Sequence, residues 1–291
     1  MKLDPELRKQ LTSELILRAN ELYHDLENAG YDERQQGWFA AEEALWRKLA
    51  QEHLLRMSPL RVLDFGCGTG LVSRTIGPLL RAGDALTCCD LSKGILEVCR
   101  KNLESLPIRC QTNFLHASGG CIPVANSSLD AIVLNAVLHH LFDLAAFASD
   151  CARALRPGGL LIVAHEPSGD IERSDVGRWA ILKHPGKLGV WLAERSALAE
   201  RALRGITSAV SPGYRRRNRM LAEIARRLHE ERLVDRSLRG TELQGIVDVQ
   251  VETGLRRAAI ESAFSGFEFV NWDTYNQDQT FGFVARRLTI N

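Results

Sequence analysis

The sequence predicts an α/β fold in which helices cover both faces of a largely parallel, doubly wound β-sheet. One observation is a rhythm that begins at Leu60, where short apolar runs of strand length alternate with amphipathic segments of helix length. Strands separated by helical segments are typical of parallel sheets, because a parallel crossover needs a long connection. The other observation is the stretch VLDFGCGTG, residues 62–70, where the first strand runs into three glycines at alternate positions.

The composition limits the classes of function. The chain has 291 residues, 45% of them hydrophobic, and a formal net charge of +1, which suits a large domain with an insertion and argues against nucleic acid as a partner. No apolar run reaches the roughly 18–20 residues that span a bilayer. The charged N-terminus, MKLDPELRKQLTSE, lacks the apolar segment of a secretory signal. The seven cysteines form no CxxC pair, so we expect reduced thiols, a cytoplasmic location and no metal site.

The elements follow in order along the chain. Residues 1–58 form an N-terminal helical segment, since leucines recur at helical spacing from Leu11 to Leu26 and again up to Leu55. A core domain is expected over 59–166 and again over 246–291. Its strands are predicted at 61–65, 85–90, 108–113, 130–136, 160–166, 266–270 and 281–285. Its helices are predicted at 71–80, 92–103, 144–155 and 255–264.

Residues 167–245 break this rhythm and are predicted to be a helical insertion. They carry sixteen Lys and Arg against ten Asp and Glu, whereas the rest of the chain is acidic. Such a shift in composition is typical of a separate subdomain. The run YRRRNR, residues 214–219, is its most basic part.

The glycine turn and two acids indicate the ligand. Glycine lets a chain turn sharply and lets a ligand approach its backbone closely. The turn lacks the GxxxxGK of a phosphate loop, and its third glycine comes one residue too early for a dinucleotide loop. Asp64 precedes the turn, where an acid repels pyrophosphate and attracts an ammonium group. Asp90 ends the second strand, where an acid can accept hydrogen bonds from ribose hydroxyls. The pair predicts a ligand with a ribose and an amino group but no phosphate.

Four stretches in one order carry a family resemblance. VLDFGCGTG, LTCCDLS at 86–92, IPVANSSLDAIVLNAVLHHL at 122–141 and LRPGGLLIVAHEP at 155–167 are similar to the motifs of the class I S-adenosylmethionine-dependent methyltransferases, in the small-molecule branch. The resemblance covers roughly 60–166 and 253–286. It implies a Rossmann-like seven-stranded sheet, mostly parallel with the last strand antiparallel, and the helical insertion as a cap over the substrate.

The resemblance also implies roles for single residues. Asp64, Gly66, Cys67 and Gly68 would hold the methionine part of S-adenosylmethionine, and Asp90 its ribose. Leu91 and the backbone of Ala117 would contact the adenine, with His116 standing where the family often has an acid. Asn135 and Ala136 would lie under the methionine chain. His140 is included among the cofactor contacts, although His139 and His140 match a family pattern that is often structural.

The chemistry expected from this family is methyl transfer to an organic small molecule, with S-adenosylhomocysteine as the product. Such a displacement depends mainly on orientation and needs a base only when the acceptor must lose a proton. His165 and Glu166 are the predicted bases, because they end the fifth strand at the edge where open α/β sheets bind ligands. Two alternatives stay open: non-methylating chemistry such as cyclisation on the same cofactor, and a binding protein with a relic site.

The sequence leaves the partners open. The acceptor is expected to be acidic or apolar. The basic run suggests an acidic substrate, a carrier protein or an anionic membrane surface, while a solvated helix face is an equally good interpretation. A monomer and a homodimer are both compatible with the sequence.

Overall fold

The computed structural model describes residues 11–27, 31–57, 59–117, 121–170, 212–235, 238–250, 255–275 and 279–289. The helices are α1 (Ser13–Glu27), α2 (Tyr31–Leu49), α3 (Leu71–Ile76), α4 (Lys93–Glu104), α5 (Leu144–Ala154), α6 (Pro212–Glu230), α7 (Gly240–Val247) and α8 (Arg257–Ala263). The strands are β1 (Arg61–Phe65), β2 (Ala85–Asp90), β3 (Gln111–His116), β4 (Leu129–Asn135), β5 (Leu155–Pro167), β6 (Phe267–Tyr275) and β7 (Thr280–Arg287). A π-helical turn, Ala50–Leu54, extends α2, and short 3-10 turns cover Gly77–Leu79 and Leu138–His140.

The seven strands form one sheet in the order β3-β2-β1-β4-β5-β7-β6. β1 pairs in parallel with both β2 and β4, and β4 pairs in parallel with β5. β7 runs antiparallel to both of its neighbours, β5 and β6. The predicted Rossmann-like sheet is therefore confirmed, including the antiparallel last strand. Since the strand order reverses between β1 and β4, a crevice opens there beyond the carboxyl ends of the strands.

Each face of the sheet has its own hydrophobic core, as expected for a parallel sheet covered on both sides. One core joins Leu63, Ile132 and Val163 to Phe147 of α5 and Ile260 of α8. The other joins Val62, Val133 and Ile162 to Trp46 of α2 and Cys99 of α4. Neighbouring strand residues thus enter opposite cores, which explains why β4 is an almost unbroken apolar run in the sequence.

Three predicted strands had wrong boundaries. β6 ends at Tyr275 and not at residue 270, because its pairing with β7 continues to Thr280. β3 begins at Gln111 and not at residue 108, because Ile108 closes a turn onto the carbonyl of Leu106 before pairing with β2 starts. The shift makes His116 the last residue of a strand. β5 begins at Leu155 and not at residue 160, because Leu155 already pairs with Leu129. The predicted turn at 156–159 is a bulge within this strand, and Gly158 there has a φ of 74°.

A third core lies away from the sheet and joins the N-terminal helix to the predicted insertion. Leu15 and Leu22 of α1 pack against Ile224 of α6 and Ile246 of α7. At its edge, the guanidinium of Arg18 forms two hydrogen bonds, of 2.8 and 2.7 Å, with the carboxylate of Glu231. α7 runs across the predicted domain boundary at 245/246. Most of the predicted cap, residues 171–211, lies outside the described residues.

The side chains of the basic run that are described, from Arg216 to Arg219, are exposed, and Arg217 donates a 2.5 Å hydrogen bond to Gln244. All seven cysteines are free, and every one except Cys121 is buried. None of the helices in the described part of the chain is both long enough and apolar enough to cross a bilayer.

Candidate functional site

The glycine turn that follows β1 is bent back over the neighbouring strand. The amides of Gly66 and Cys67 both donate hydrogen bonds to the carbonyl of Cys89, at 2.8 and 3.0 Å. Gly66 and Gly68 have φ values of 69° and 53°, a region that favours glycine. A Cβ on Gly66 would lie 2.6 Å from Val137, whereas a Cβ on Gly68 would meet nothing within 4 Å. The backbone at Gly68 is therefore open to a ligand.

Asp64 lies at the end of β1 with a carboxylate that is only half satisfied. Its Oδ2 accepts hydrogen bonds from the amide and the hydroxyl of Ser73, at 3.1 and 2.6 Å. Its Oδ1 is buried and has no hydrogen-bond partner among the described residues. Burial raises the pKa of this carboxyl from 3.8 to about 8. A cationic N–H donor in the site would satisfy the oxygen and restore its charge.

Asp90 ends β2 and closes the other side of the turn. Its Oδ2 accepts a 2.9 Å hydrogen bond from the amide of Gly68, and its Oδ1 accepts one of 2.9 Å from the amide of Ser92. Burial raises the pKa of Asp90 above its ordinary value. Ser92 is itself the N-cap of α4, with its hydroxyl accepting from the amide of Ile95. The acid is thus fixed by both the turn and the helix, and each oxygen keeps a lone pair for a ligand hydroxyl.

These residues line a cavity of about 470 Å³ at the crevice between β1 and β4. That volume lies within the usual range for small-molecule sites. The cavity brings together eleven residues that the sequence predicted for the site: Asp64, Gly66, Cys67, Gly68, Asp90, Leu91, Ala117, Asn135, Ala136, His140 and His165.

His116 does not lie among the cavity residues. Its Nε2 is 2.9 Å from the carbonyl oxygen of Leu91. The structure therefore does not bring His116 to the cavity; its ring contacts the carbonyl of Leu91, and Leu91 lines the cavity.

Glu166, the other predicted base, lies outside the cavity lining. It is fully buried, and its carboxylate accepts hydrogen bonds from the amides of Val137 and Leu138 at 2.6 and 2.7 Å. The other carboxylate oxygen lies 2.9 Å from Nδ1 of His139. The carboxylate of Glu166 holds the turn after β4 in place, and both of its oxygens have hydrogen-bond partners within the protein.

His165 does face the cavity, at the end of β5. Its φ of 62° is rare for a residue other than glycine, and Ala136, at the end of β4, has a φ of 58°. Nε2 of His165 lies 3.6 Å from Oε1 of Glu42 on α2, and the other oxygen of Glu42 accepts a 2.9 Å hydrogen bond from Asn135. Trp46 in turn donates a 2.9 Å hydrogen bond to Asn135. Strained backbone and polar side chains therefore meet at the carboxyl edge of the sheet.

Sequence reasoning missed the helical wall of the cavity. Asn20, Tyr23 and His24 of α1, Glu42 of α2, and Gln244 and Asp248 of the α7 region all line it. Oδ1 of Asn20 is, like Oδ1 of Asp64, buried without a hydrogen-bond partner among the described residues. Asn20 carried one available signal, because it is a polar residue within the apolar stripe of α1. No local signal in the sequence indicates that α7 packs near the sheet and helps to line the cavity.

The N-terminal helix is fixed to the cofactor half of the cavity by Asp25. Its Oδ1 accepts a hydrogen bond from the hydroxyl of Ser92, next to Asp90. α1 also contacts α6 and α7 through the third core. The cavity is therefore closed on one side by a helical layer, which limits the access of water.

Comparisons with known proteins agree with this geometry. Residues 63–163 match the family model described as a methyltransferase domain. The demethylmenaquinone methyltransferase of Tropheryma whipplei is 34% identical over 122 residues, which are 42% of this chain and 48% of that protein. The ubiquinone biosynthesis O-methyltransferase of Methylocella silvestris is 36% identical over 107 residues, 36% of this chain and 39% of that protein. The chain thus spans less than half the length of these relatives.

Solved structures share the fold at low sequence identity. A methyltransferase from Aquifex aeolicus that depends on S-adenosylmethionine superposes with a TM-score of 0.50 at 12% identity, over 84% of this chain and 89% of that one. The cyclase SpnF superposes with a TM-score of 0.51 at 13% identity, over 84% of this chain and 80% of that one.

The residues present fit the predicted cofactor. The unpaired oxygen of Asp64 suits the ammonium group of S-adenosylmethionine, the open backbone at Gly68 suits its methionine chain, and Asp90 suits its ribose. The motif order, the sheet and the family match all agree. Residues 63–163 therefore match a methyltransferase domain, and the cavity beside them fits S-adenosylmethionine as its cofactor.

Proposed function

We propose that this chain transfers the methyl group of S-adenosylmethionine to a nucleophilic atom of a small organic acceptor. The observation that carries the proposal is the unpaired, buried oxygen of Asp64, in one cavity with the open backbone at Gly68 and the carboxylate of Asp90. The cofactor supplies an electrophilic methyl group on a sulfonium, which leaves as the neutral thioether of S-adenosylhomocysteine when the acceptor forms its new bond to the methyl carbon.

The protein's contribution to this reaction is orientation and the exclusion of water. Asp64 and Asp90 lie on two neighbouring strands, so they fix a bound ligand at two points. The turn after β4, held by Glu166, forms the floor next to Ala136. Orientation of this kind accounts for several kcal/mol of a displacement barrier.

We place the acceptor against His139, His140, His165 and Asp248, which all line the cavity. For a hydroxyl acceptor, we assign the proton to His165, because it is the one of the two predicted bases that lines the cavity. One of the two relatives above is named as a demethylmenaquinone methyltransferase and the other as an O-methyltransferase of ubiquinone biosynthesis. These names support phenols and quinols as the first acceptors to test. Docking of a carrier protein or membrane on the basic run stays a prediction, as does the oligomeric state.

The test is a turnover assay with cofactor labelled in the transferred methyl group. A panel of catechols, hydroquinones and acidic phenols would be incubated with the full chain, and products identified by mass spectrometry. Methyl transfer predicts one labelled methyl group on the product for each S-adenosylhomocysteine released, and none with Asp90→Asn.

The same assay separates the cyclase alternative from the proposal. If the acceptor is rearranged without a change of mass and no S-adenosylhomocysteine is released, the result would contradict methyl transfer. It would indicate cyclisation assisted by the cofactor instead. The likeness to SpnF concerns the fold alone and does not favour that outcome.

A further inference from the structure

Two histidines and a carboxylate converge on the wall of the cavity. His139 and His140 form the 3-10 turn after β4, and Asp248 follows the last residue of α7. One nitrogen or oxygen atom from each of the three lies within 4.8 Å of the others, and all three residues line the cavity. In the described part of the chain, no other group of three such side chains converges in this way.

Each histidine is oriented through its Nδ1 atom. Nδ1 of His139 lies 2.9 Å from a carboxylate oxygen of Glu166, and Nδ1 of His140 lies 2.9 Å from the carbonyl oxygen of Val247. A carbonyl oxygen can only accept a hydrogen bond, so Nδ1 of His140 carries the proton. The carboxylate of Glu166 already accepts amide donors and takes a further one from His139. Both rings are thereby left with a lone pair on Nε2.

The hydrogen bonds that orient Nδ1 of the two histidines are of the kind that metal-binding histidines make. Such residues donate their other ring N–H to a carboxylate or a backbone carbonyl, which fixes the tautomer and the ring orientation. Glu166 and Val247 supply one example of each. The two rings lie with their centroids 3.9 Å apart at an angle of 45°, so the two imidazoles are close neighbours.

Asp248 supplies the anionic ligand. Its Oδ2 accepts a 2.5 Å hydrogen bond from Gln244, and its Oδ1 lies 3.6 Å from Nδ1 of His140. Ligands of one ion at about 2.0–2.2 Å are roughly 3–4 Å apart, so separations of up to 4.8 Å need a contraction of about 1–2 Å. All three side chains are partly exposed to the cavity and can make that adjustment.

We propose that His139, His140 and Asp248 form a binding site for a divalent transition metal ion. Two imidazoles and one carboxylate favour zinc, iron, cobalt or nickel over magnesium and calcium, which prefer oxygen ligands. Three protein ligands leave coordination positions open toward the cavity, as in catalytic metal sites. The proposal departs from the sequence prediction of no metal, because Asp248 is distant in the chain and only the fold brings it to the histidines.

The site has a second consequence that rests on the proposed function. An ion on this wall would share one cavity with Asp64 and Asp90, and its open positions would take an oxygen of the acceptor. It would thus favour acceptors with two adjacent oxygens, such as catechols, whose hydroxyl proton is released more readily on a metal ion.

Metal binding is tested without cofactor or acceptor. The full chain, freed of any affinity tag and stripped with a chelator, is titrated with Co²⁺ while visible d–d absorption is recorded, and with Zn²⁺ in a calorimeter. We expect one equivalent to bind, with micromolar or tighter affinity. His140→Gln and Asp248→Asn should each weaken binding at least tenfold, and Glu166→Gln about tenfold through the lost support of His139.

His116→Gln is the matched control, since His116 also has a backbone carbonyl partner but lies outside the cavity. It should bind as the unaltered chain does. Circular dichroism establishes that each variant is folded, and Asp248→Asn, at a partly exposed position, keeps the test decisive if the Glu166 variant does not fold.

Three outcomes would overturn the site: no stoichiometric binding, unchanged binding in both the His140 and Asp248 variants, or the near-ultraviolet charge-transfer band of a cobalt–thiolate bond, which would place the ion on buried cysteines. Binding with these ligands but without methyl transfer to any acceptor would leave the metal site standing and remove the proposed function instead.

Discussion

The hydroxyl of Ser73 donates a 2.6 Å hydrogen bond to one oxygen of Asp64, and the second oxygen of that buried carboxylate has no partner among the described residues. Ser73 lies in α3, directly after the glycine turn. The helix therefore holds the acid in place but satisfies only half of it. A group buried in this way costs free energy in the ligand-free protein and contributes that free energy to ligand binding.

Asp64 should make the stability of the ligand-free protein depend on pH. Burial raises its pKa to about 8 in the folded state, against 3.8 for an ordinary aspartate. Between these values the folded state binds more protons than the unfolded state, so stability falls as the pH rises from about 4 to about 8. We would measure the free energy of unfolding of both proteins in urea at pH 5.5 and 8.5. Relative to the unaltered chain, the free energy of unfolding of Asp64→Asn should be higher at pH 8.5 than at pH 5.5 by on the order of 2 kcal/mol. A difference between the two proteins that is the same at both pH values would contradict this account.

Gly68→Ala should weaken cofactor binding far more than it destabilises the fold. A Cβ there meets no protein atom, but it would project toward the space assigned to the methionine chain. The φ of 53° should cost about 1 kcal/mol of stability. We expect affinity for S-adenosylhomocysteine to fall at least tenfold in calorimetry.

Gly158→Ala is the control for this change. Gly158 also has a positive φ, of 74°, and open space at its Cβ, but it lies in the bulge of β5 outside the cavity lining. It should show the same loss of stability with unaltered affinity. Equal affinity losses in both variants would mean that backbone strain, and not the ligand's approach, explains the glycine at 68.

Glu166→Gln should destabilise the protein by about 2–4 kcal/mol in urea unfolding. Its carboxylate accepts hydrogen bonds from three backbone amides and contacts the ring of His139. The NH2 group of a glutamine would face some of these N–H donors and could not accept from them. Glu261→Gln, which breaks an exposed pair with Arg257, should change stability by less than about 0.5 kcal/mol. If Glu166→Gln leaves the free energy of unfolding unchanged, the carboxylate does not hold the turn.

His165→Gln should lower the rate of methyl transfer to a phenolic acceptor without changing cofactor affinity. The proton acceptor would be lost while the contacts at Asp64 and Asp90 remain, and general-base catalysis typically contributes about 100- to 10,000-fold. A variant that transfers methyl groups as fast as the unaltered chain would show that another group takes the proton.

Much of the fold could be predicted from the sequence because its signals are local. The alternation of strand and helix lengths in the core and the turn at Gly66–Gly70 depend on neighbouring residues. The same holds for the cofactor half of the site, since Asp64 and Asp90 each end a strand and the ends of adjacent parallel strands must meet.

The remaining parts depend on contacts between distant segments. Glu166 looked like a base at a strand end, but the turn after β4 folds over it and uses its carboxylate. The predicted third strand, 108–113, ended before His116. The pairing of β3 with β2, which extends this strand to His116, could not be seen in the sequence. Asp248 reaches the cavity only because α7 packs on α1.

Calorimetric titration with S-adenosylmethionine and with S-adenosylhomocysteine tests the central claim most directly. The unaltered chain should bind both with micromolar affinity, and Asp64→Asn should lose at least about 30-fold, or roughly 2 kcal/mol, because an amide cannot balance the ammonium charge. Asp84→Asn is the matched control, since Asp84 is equally buried and hydrogen-bonded to the amides of Leu60 and Arg81 but lies outside the cavity lining. Absence of binding to the folded, unaltered chain, or equal affinity in the Asp64 variant, would contradict the account.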